Sequence, residues 1–415
     1  MAAVQDRLAT RSAIQSADML HGLLRRRWKS LLAGGLLLIG VLQIGSDVLR
    51  TGQDRNPLKD IKLELNFPII GMIANRNADG HHPALDDSDA TMDQVCITRT
   101  STSRQLGPLF HLTNNSDDKF YFRRNPKWNM STCSESLQTT ASESEEFGPI
   151  FHPDIQMLIN CNWLDVGEYW RMKKWEIPFG YNYYMENITY EEVRDVLKMF
   201  PVDDTISNFT GRSRPQCITC AVVGNGGMLN GSSMGVEIDK HDYVFRVNEA
   251  YTKGYEKDVG SRTTHYVFFD RSLRYVKPED YPVSPNITYI YVPCRKDDFL
   301  YLKAIGERRG EFEVPPEDVR IIHPDFMRYI HFVWMRVKSF RPTTGAIMTM
   351  TALHTCDKLS LYGLGYNTKY SNHYFDRKYK KFRIVKLSHD HKREIRLWDS
   401  LDKEGIVYWY RRDVF

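Results

Sequence analysis

Near the end of the chain, in LSHDHKREIRLW, His389, His391 and Glu394 fall within six residues. Three chemistries fit that grouping. Two imidazoles and a carboxylate can ligate a metal. A single histidine can act as a general base. Or Asp390 and the charged residues after it can simply begin a helix. Farther up the chain, ITCAVVGNGGMLN carries an apolar run into Gly224-Asn225-Gly226-Gly227 and then a candidate helix. Backbone amides of such a turn, with a helix N-terminus behind them, can cradle a phosphate. The same residues also suit a tight strand-to-helix turn: no Gly-Lys-Ser/Thr follows, and Leu229 stands where G-x-G-x-x-G needs its third glycine. In RPTTGAIMTMTALHTC, Thr343, Thr344 and Gly345 open a helical stretch, either as a second anion clamp or as an ordinary cap.

These residues need a frame. The runs ITCAVVG, DYVFRVN, ITYIYVP and KLSLYGLG are rich in β-branched and aromatic residues and read as strands. HKREIRLWDSLDKEGIVYWY reads as a helix, a stop at Gly405, then a strand. Strands alternating with helices predict an α/β fold with a Rossmann-like, mainly parallel sheet flanked by helices. Aromatic residues become dense from about 146, so the folded domain is placed at 146–415, and the polar stretch 47–145 is read as a stem.

The N-terminal segment is of another kind. LLAGGLLLIGVLQIG, Leu31 to Gly45, is uncharged and preceded by Arg25, Arg26, Arg27 and Lys29. That run is short for a membrane helix. A cleavable signal peptide competes, but 30 residues precede the run and no small-x-small cleavage site follows. Residues 30–46 are therefore read as an uncleaved signal anchor, with a cytosolic tail over 1–29 and the rest lumenal. Net charge is +4 over 415 residues, which gives no concentrated basic face for nucleic acid.

A lumenal location licenses disulfides and glycosylation. Seven cysteines stand at 96, 133, 161, 217, 220, 294 and 356, an odd number, so at least one has no intramolecular partner. Cys217-x-x-Cys220 lacks the second pair of a zinc ribbon. Sequons occur at Asn114, Asn129, Asn187, Asn208, Asn230 and Asn286.

The stretches at 220–248 and 341–365 closely resemble the large and small sialyl motifs of the animal sialyltransferases. SNHYFD at 371–376 resembles that family's third motif, and His389 with Glu394 five residues on resembles its very short motif. The wording CAVVGNGGMLNGS, HPDFMRYI and RPTTGAIMTMTALHTCD is nearest to the N-acetylgalactosaminide α-2,6-sialyltransferases that act on O-glycans. The resemblance covers roughly the C-terminal half of the chain and implies the sialyltransferase variant of the GT-A fold. It implies that Asn225 and Asn248 bind the cytidine nucleotide of CMP-sialic acid, with Thr343, Thr344, Gly345 and Gly365 around it. His373 is implied to contact the donor phosphate and His389 to be the catalytic base. It also implies a Cys220–Cys356 disulfide, with Cys217 paired upstream and Cys133 the best-placed candidate. Cys96, Cys161 and Cys294 have no counterpart.

The implied reaction displaces CMP from the anomeric carbon by an acceptor hydroxyl, with inversion, which needs one base and stabilisation of a phosphate but no metal and no other cofactor. The sole Asp-x-Asp, Asp87-Ser88-Asp89, lies in the stem. Asp390 is expected to cap the last helix and so place His389 at its positive end, which lowers the imidazole pKa. Glu394 is expected to be a structural first-turn carboxylate, and His391 to face solvent. The expected partners are CMP-sialic acid, O-glycosylated glycoproteins, the Golgi membrane and a second copy of the chain. The rival readings are an α-2,3 or glycolipid-directed sialyltransferase, a glycan-binding protein on the same fold, and a metal-dependent transferase.

Overall fold

The computed structural model describes Tyr121 and residues 131–412, apart from short segments at 177, 183–187, 204, 207–214, 270–272, 274–275, 278–279, 310–311 and 383–387. The chain divides into two units, Met1–Ser88 and Asp89–Phe415, and the described residues all lie in the second. The expected tail, the anchor over 30–46 and most of the stem lie outside the described residues. So do the sequons at Asn114, Asn129, Asn187 and Asn208. No described helix is long and apolar enough to cross a membrane.

Eight strands form one sheet: β1 Leu158–Ile159, β2 Thr219–Val223, β3 Tyr243–Val247, β4 His265–Phe268, β5 Thr288–Tyr291, β6 Val319–Ile322, β7 Lys358–Tyr362 and β8 Tyr408–Trp409. Their order is β1-β6-β5-β4-β3-β2-β7-β8. Every neighbouring pair is parallel except β1 with β6. The α/β, mainly parallel expectation is met. Central strands are buried on both faces, as parallel strands under helices must be. On β2, Cys220 and Val222 join one core while Ala221 and Val223 join another, the period of two expected of a strand.

Six helices matter for the site and its support: α1 Leu137–Glu143, α2 Tyr190–Leu197, α3 Lys296–Gly306, α4 Pro324–Arg328, α5 Thr344–Leu353 and α6 His391–Lys403. Val193, Val196 and Leu197 of α2 meet Phe299, Leu302 and Ile305 of α3 over the β4–β6 end of the sheet. Helix α5 has no polar face; every residue from Ala346 to Leu353 is buried. Its threonines are tolerated there because each hydroxyl donates back to the preceding turn, Thr349 to the Gly345 carbonyl (2.9 Å) and Thr351 to that of Ile347 (2.8 Å). Truncating Ile347 to alanine in so enclosed a helix costs about 2–5 kcal/mol.

The domain begins earlier than the composition suggested. Residues placed in the stem pack within it: Leu137 and Ala141 of α1 are in the main core, and the buried Tyr121 ring lies 6.3 Å from Tyr329. Polar composition misled here because the segment is held by few but specific links. Cys133 is bonded to Cys217, Asp357 accepts from Ser136 Oγ at 2.9 Å, and the Asp357 carbonyl accepts from the Leu137 amide at 2.8 Å.

The order of strands sets the position of a ligand site. From β2 the chain winds outward through β3, β4, β5 and β6, then returns to place β7 on the other side of β2. Loops leaving the C-terminal ends of β2 and β7 therefore diverge and leave a crevice.

Candidate active site

That crevice is a cleft of about 270 Å³. It gathers the turn after β2 (Gly224 to Gly226), Asn248 after β3, the first turn of α5 and the turn after β7 through Gly365. His373, His389, His391 and Glu394 complete it. Each nucleotide-site and catalytic residue named from the sequence lines this one cleft, although they span 165 positions from Asn225 to His389.

The glycines act differently from the phosphate-cradle expectation. The Gly224 amide donates to the Tyr362 carbonyl (2.8 Å) and that of Gly226 to Gly363 (2.9 Å), so neither is free for an anion. A Cβ at either position would sit 2.6 Å from the Gly363 oxygen. The glycines exist to let two backbones touch. The expected helix after them is a 3₁₀ turn, Gly227–Leu229, and is too short to offer a dipole. Asn225 follows from this packing. Its Nδ2 donates to the Val247 carbonyl (3.2 Å), which leaves Oδ1 buried with no hydrogen-bond partner among the described residues. Asn248 sits at φ 54°, a left-handed conformation that asparagine accepts more readily than most residues.

The helix N-terminus of the cleft is that of α5. Thr343 caps it, accepting from the Ala346 amide at 3.0 Å. Glu394 then holds Thr343 twice, through the amide (3.0 Å) and the hydroxyl (2.8 Å). Thr344 and Gly345, at the first helical positions, have amides with no intrahelical partner. Gly365 lies at φ +92°, and a Cβ there would meet Trp409 at 3.0 Å.

His373 arrives from another direction. It forms an antiparallel bridge with Gly226, and its amide donates to Asp376 Oδ2 at 2.8 Å. The ring stacks on Phe375 at 4.9 Å, with Asn372 Nδ2 3.0 Å from its Nε2. Burial lowers its pKa, and the nearby Asp376 opposes this without overcoming it.

His389 Nδ1 lies 2.9 Å from the Arg341 carbonyl. A carbonyl can only accept, so Nδ1 carries the hydrogen and Nε2 keeps a lone pair. Asp390 caps α6 as expected, accepting from the Arg393 amide at 3.0 Å. The His389 pKa is lowered, also as expected, but the first cause is burial rather than the helix dipole.

Two expectations about the flanking residues change. His391 does not face solvent. It is 8% exposed, with its ring 5.1 Å from Tyr366 and 4.9 Å from Phe382, and burial depresses its pKa to about 4. Positions 391, 394, 398 and 401 share the buried face of α6, a spacing legible in the sequence. Glu394 is structural, but it caps α5 through Thr343 as well as opening α6, and burial raises its pKa to about 7. With both oxygens of Glu394 on Thr343, the His389, His391 and Glu394 side chains do not converge as metal ligands. Among the described residues no other such cluster occurs.

Sequence reasoning missed Phe269, Arg341, Tyr366 and Trp398, all lining the cleft. Only the closeness of Arg341 to Thr343 hinted at it. Both implied disulfides are present, Cys133–Cys217 and Cys220–Cys356. Cys161 is disulfide-bonded as well, and Cys294 is a buried thiol. The Asn230 Nδ2 donates to the Tyr374 carbonyl (2.7 Å), whereas Asn286 is exposed in a turn at φ 70°.

The profile of glycosyltransferase family 29 (sialyltransferase) matches residues 159–406. The α-N-acetylgalactosaminide α-2,6-sialyltransferase 1 of Gallus gallus is 34% identical over 341 residues, 70% of this chain and 59% of that protein. The α-N-acetylgalactosaminide α-2,6-sialyltransferase 2 of Mus musculus is 33% identical over 315 residues, 68% of this chain and 83% of that protein. The chain thus spans less than two thirds of the chicken relative. A crystal structure of a mammalian sialyltransferase in complex with Gal-β-1-3GalNAc-ortho-nitrophenol superposes with a TM-score of 0.51 at 25% identity. That likeness covers 68% of this chain and 99% of that one.

Proposed function

The chain belongs to glycosyltransferase family 29, the sialyltransferases, and from that membership we propose that it transfers sialic acid from CMP-sialic acid to the 6-hydroxyl of N-acetylgalactosamine on O-linked glycoproteins. The acceptor and linkage follow the chicken and mouse relatives named for that transfer. The carrying observation is the hydrogen bond that fixes His389 Nδ1 on the Arg341 carbonyl and leaves Nε2 as a base inside the cleft.

In this reading the first turn of α5 and His373 receive the phosphate of the donor, and Asn225 Oδ1 and Asn248 receive the nucleotide. The acceptor hydroxyl attacks the anomeric carbon while its proton passes to His389 Nε2. The bond from that carbon to the phosphate oxygen breaks, its electron pair leaving with CMP. One displacement inverts the centre. A lowered pKa keeps the imidazole neutral and ready to accept. No metal is needed, because the departing group carries a single phosphate that amides and an imidazole can stabilise. The enzyme works as a type II protein of the Golgi membrane with this domain in the lumen, where the disulfides are stable.

Incubation with CMP-sialic acid and a panel of O-glycopeptides, followed by linkage analysis, tests the assignment. A 6-linked product on N-acetylgalactosamine is expected, insensitive to chelator; a 3-linked product or a divalent-ion requirement overturns it. His389→Ala should cut turnover by about 10²–10⁴-fold with CMP binding retained, whereas His373→Ala should weaken donor binding as well.

A further inference from the structure

The mechanism above uses the backbone of Arg341 and gives its guanidinium no ligand to hold. The residue is only 7% exposed, and its guanidinium lies 4.5 Å from the centroid of the Phe269 ring. Nη1 is buried with no hydrogen-bond partner, and the guanidinium makes no ion pair among the described residues. The obvious counter-charge in the cleft, Glu394, has both oxygens committed to Thr343. Burying a guanidinium unpaired is costly. A polar group left in that state inside a ligand cleft calls for the ligand that completes it.

Resting on the sialyltransferase reading, we infer that Arg341 receives the carboxylate of the sialic acid being transferred. Two ends of the cleft can be told apart by their links. His373 is tied to the turn after β2 through its bridge with Gly226. Arg341 is tied to the base, since its carbonyl holds His389. In CMP-sialic acid the carboxylate is bonded to the anomeric carbon, the atom under attack. A base that serves the attacking hydroxyl must stand beside that carbon, so the cation anchored to the base stands where the carboxylate arrives. A guanidinium matches a carboxylate well, being planar, permanently charged, and able to offer two parallel N–H donors to two oxygens. Packing on Phe269 limits its rotation.

The pairing also links binding to chemistry. The Arg341 charge is among the influences that lower the proton affinity of His389. A carboxylate seated on Arg341 cancels that influence, so the imidazole becomes a stronger base when the donor is in place.

Arg341→Met, which keeps length and apolar contact with Phe269, and Arg341→Lys test the inference. CMP affinity is read by calorimetry. Transfer from CMP-sialic acid and from its C1 methyl ester to an asialo O-glycopeptide is read by kinetics. For Arg341→Met, the donor KM should rise roughly 10–100-fold while the Kd for CMP, which lacks the carboxylate, stays within about twofold. The ester should penalise the wild type similarly and the Met variant hardly at all. Lysine should restore part of the loss. The ligand-free Met variant should melt close to the wild type, because the lost guanidinium made no ion pair among the described residues and only a through-space attraction to Glu394. CMP affinity falling in step with the donor would assign Arg341 to the phosphate and overturn the inference. So would an ester penalty undiminished in the variant, or a melting temperature lowered by several degrees. If the wild type transfers sialic acid and Arg341→Met changes none of these values, this inference alone fails. If the wild type neither binds CMP nor transfers, the sialyltransferase reading fails with it.

Discussion

Glu394→Gln is expected to stabilise the protein, by an amount that depends on pH. Burial raises the Glu394 pKa from 4.5 to about 7, against the opposing pull of two hydrogen bonds from Thr343. Folding therefore favours the protonated carboxyl. The benefit is complete below the unfolded value of 4.5 and is lost as pH rises through about 7, above which the folded chain carries a buried carboxylate. At 1.36 kcal/mol per pKa unit the difference approaches about 3 kcal/mol at pH 8, about 2 at pH 6, and little at pH 4.5. Glutamine mimics the protonated acid, since one amide oxygen can still accept from the Thr343 amide while the NH₂ donates to the hydroxyl. The stability of the variant relative to wild type, from urea unfolding at pH 5, 6, 7 and 8, should rise across that range and then level off. A constant offset from amide chemistry leaves that slope untouched. A pH-independent difference would refute the argument, because it would mean that Glu394 titrates alike in the folded and unfolded chains.

Three further outcomes can be checked. Cys220→Ser should cost stability rather than chemistry. The bridge to Cys356 spans a sequence separation of 136 residues, for which the chain-entropy model gives about 4–5 kcal/mol; secretion should fall while surviving protein keeps its donor KM. Gly227→Ala puts a Cβ 2.0 Å from the Ser371 oxygen. It should cost about 1–3 kcal/mol and, because Ser371 precedes Asn372 and His373, raise the donor KM; an unchanged KM would contradict the placing of His373. Finally, burial holds His265, His323, His331 and His391 at a pKa of about 4. Their contribution is present above the unfolded value of about 6.5 and is lost as pH falls from there toward 4. Glu394 opposes them. Unfolding should take up roughly one proton net at pH 6.5 and at least two between pH 6 and 5, measured from the pH dependence of the urea midpoint.

Patterns that repeat over a few residues could be read directly. The alternation of β2 and β7 and the Asp390 cap both appear where the spacing put them. His391 could have been placed by the same means, since it begins the apolar stripe continued by Leu397, Trp398 and Leu401. What spacing cannot reveal is a partner brought in by the fold. The Gly224 and Gly226 amides look free for an anion until β7 arrives alongside and takes them. The hold of Arg341 on His389 and that of Glu394 on Thr343 bridge separations of 48 and 51 residues. The start of the domain was misjudged for the same reason. Ser136 and Leu137 look like stem until Asp357 is in place.

That junction at Asp357 decides how short a self-sufficient fragment can be. Its carboxylate accepts from Ser131, from Ser136 and from the Ile218 amide (2.8 Å). Cys356 next to it is bonded to Cys220, while Cys133 is bonded to Cys217. Trimming the chain to residue 146 would strip the carboxylate of two of those three donors, strand Cys217 as a reactive thiol at the mouth of β2, and uncover the core beneath α1. A fragment cut there invites thiol exchange between molecules. One that starts before Ser131 keeps the knot closed, so the boundary of the working unit is drawn by one buried carboxylate and its neighbours rather than by where the sequence turns aromatic.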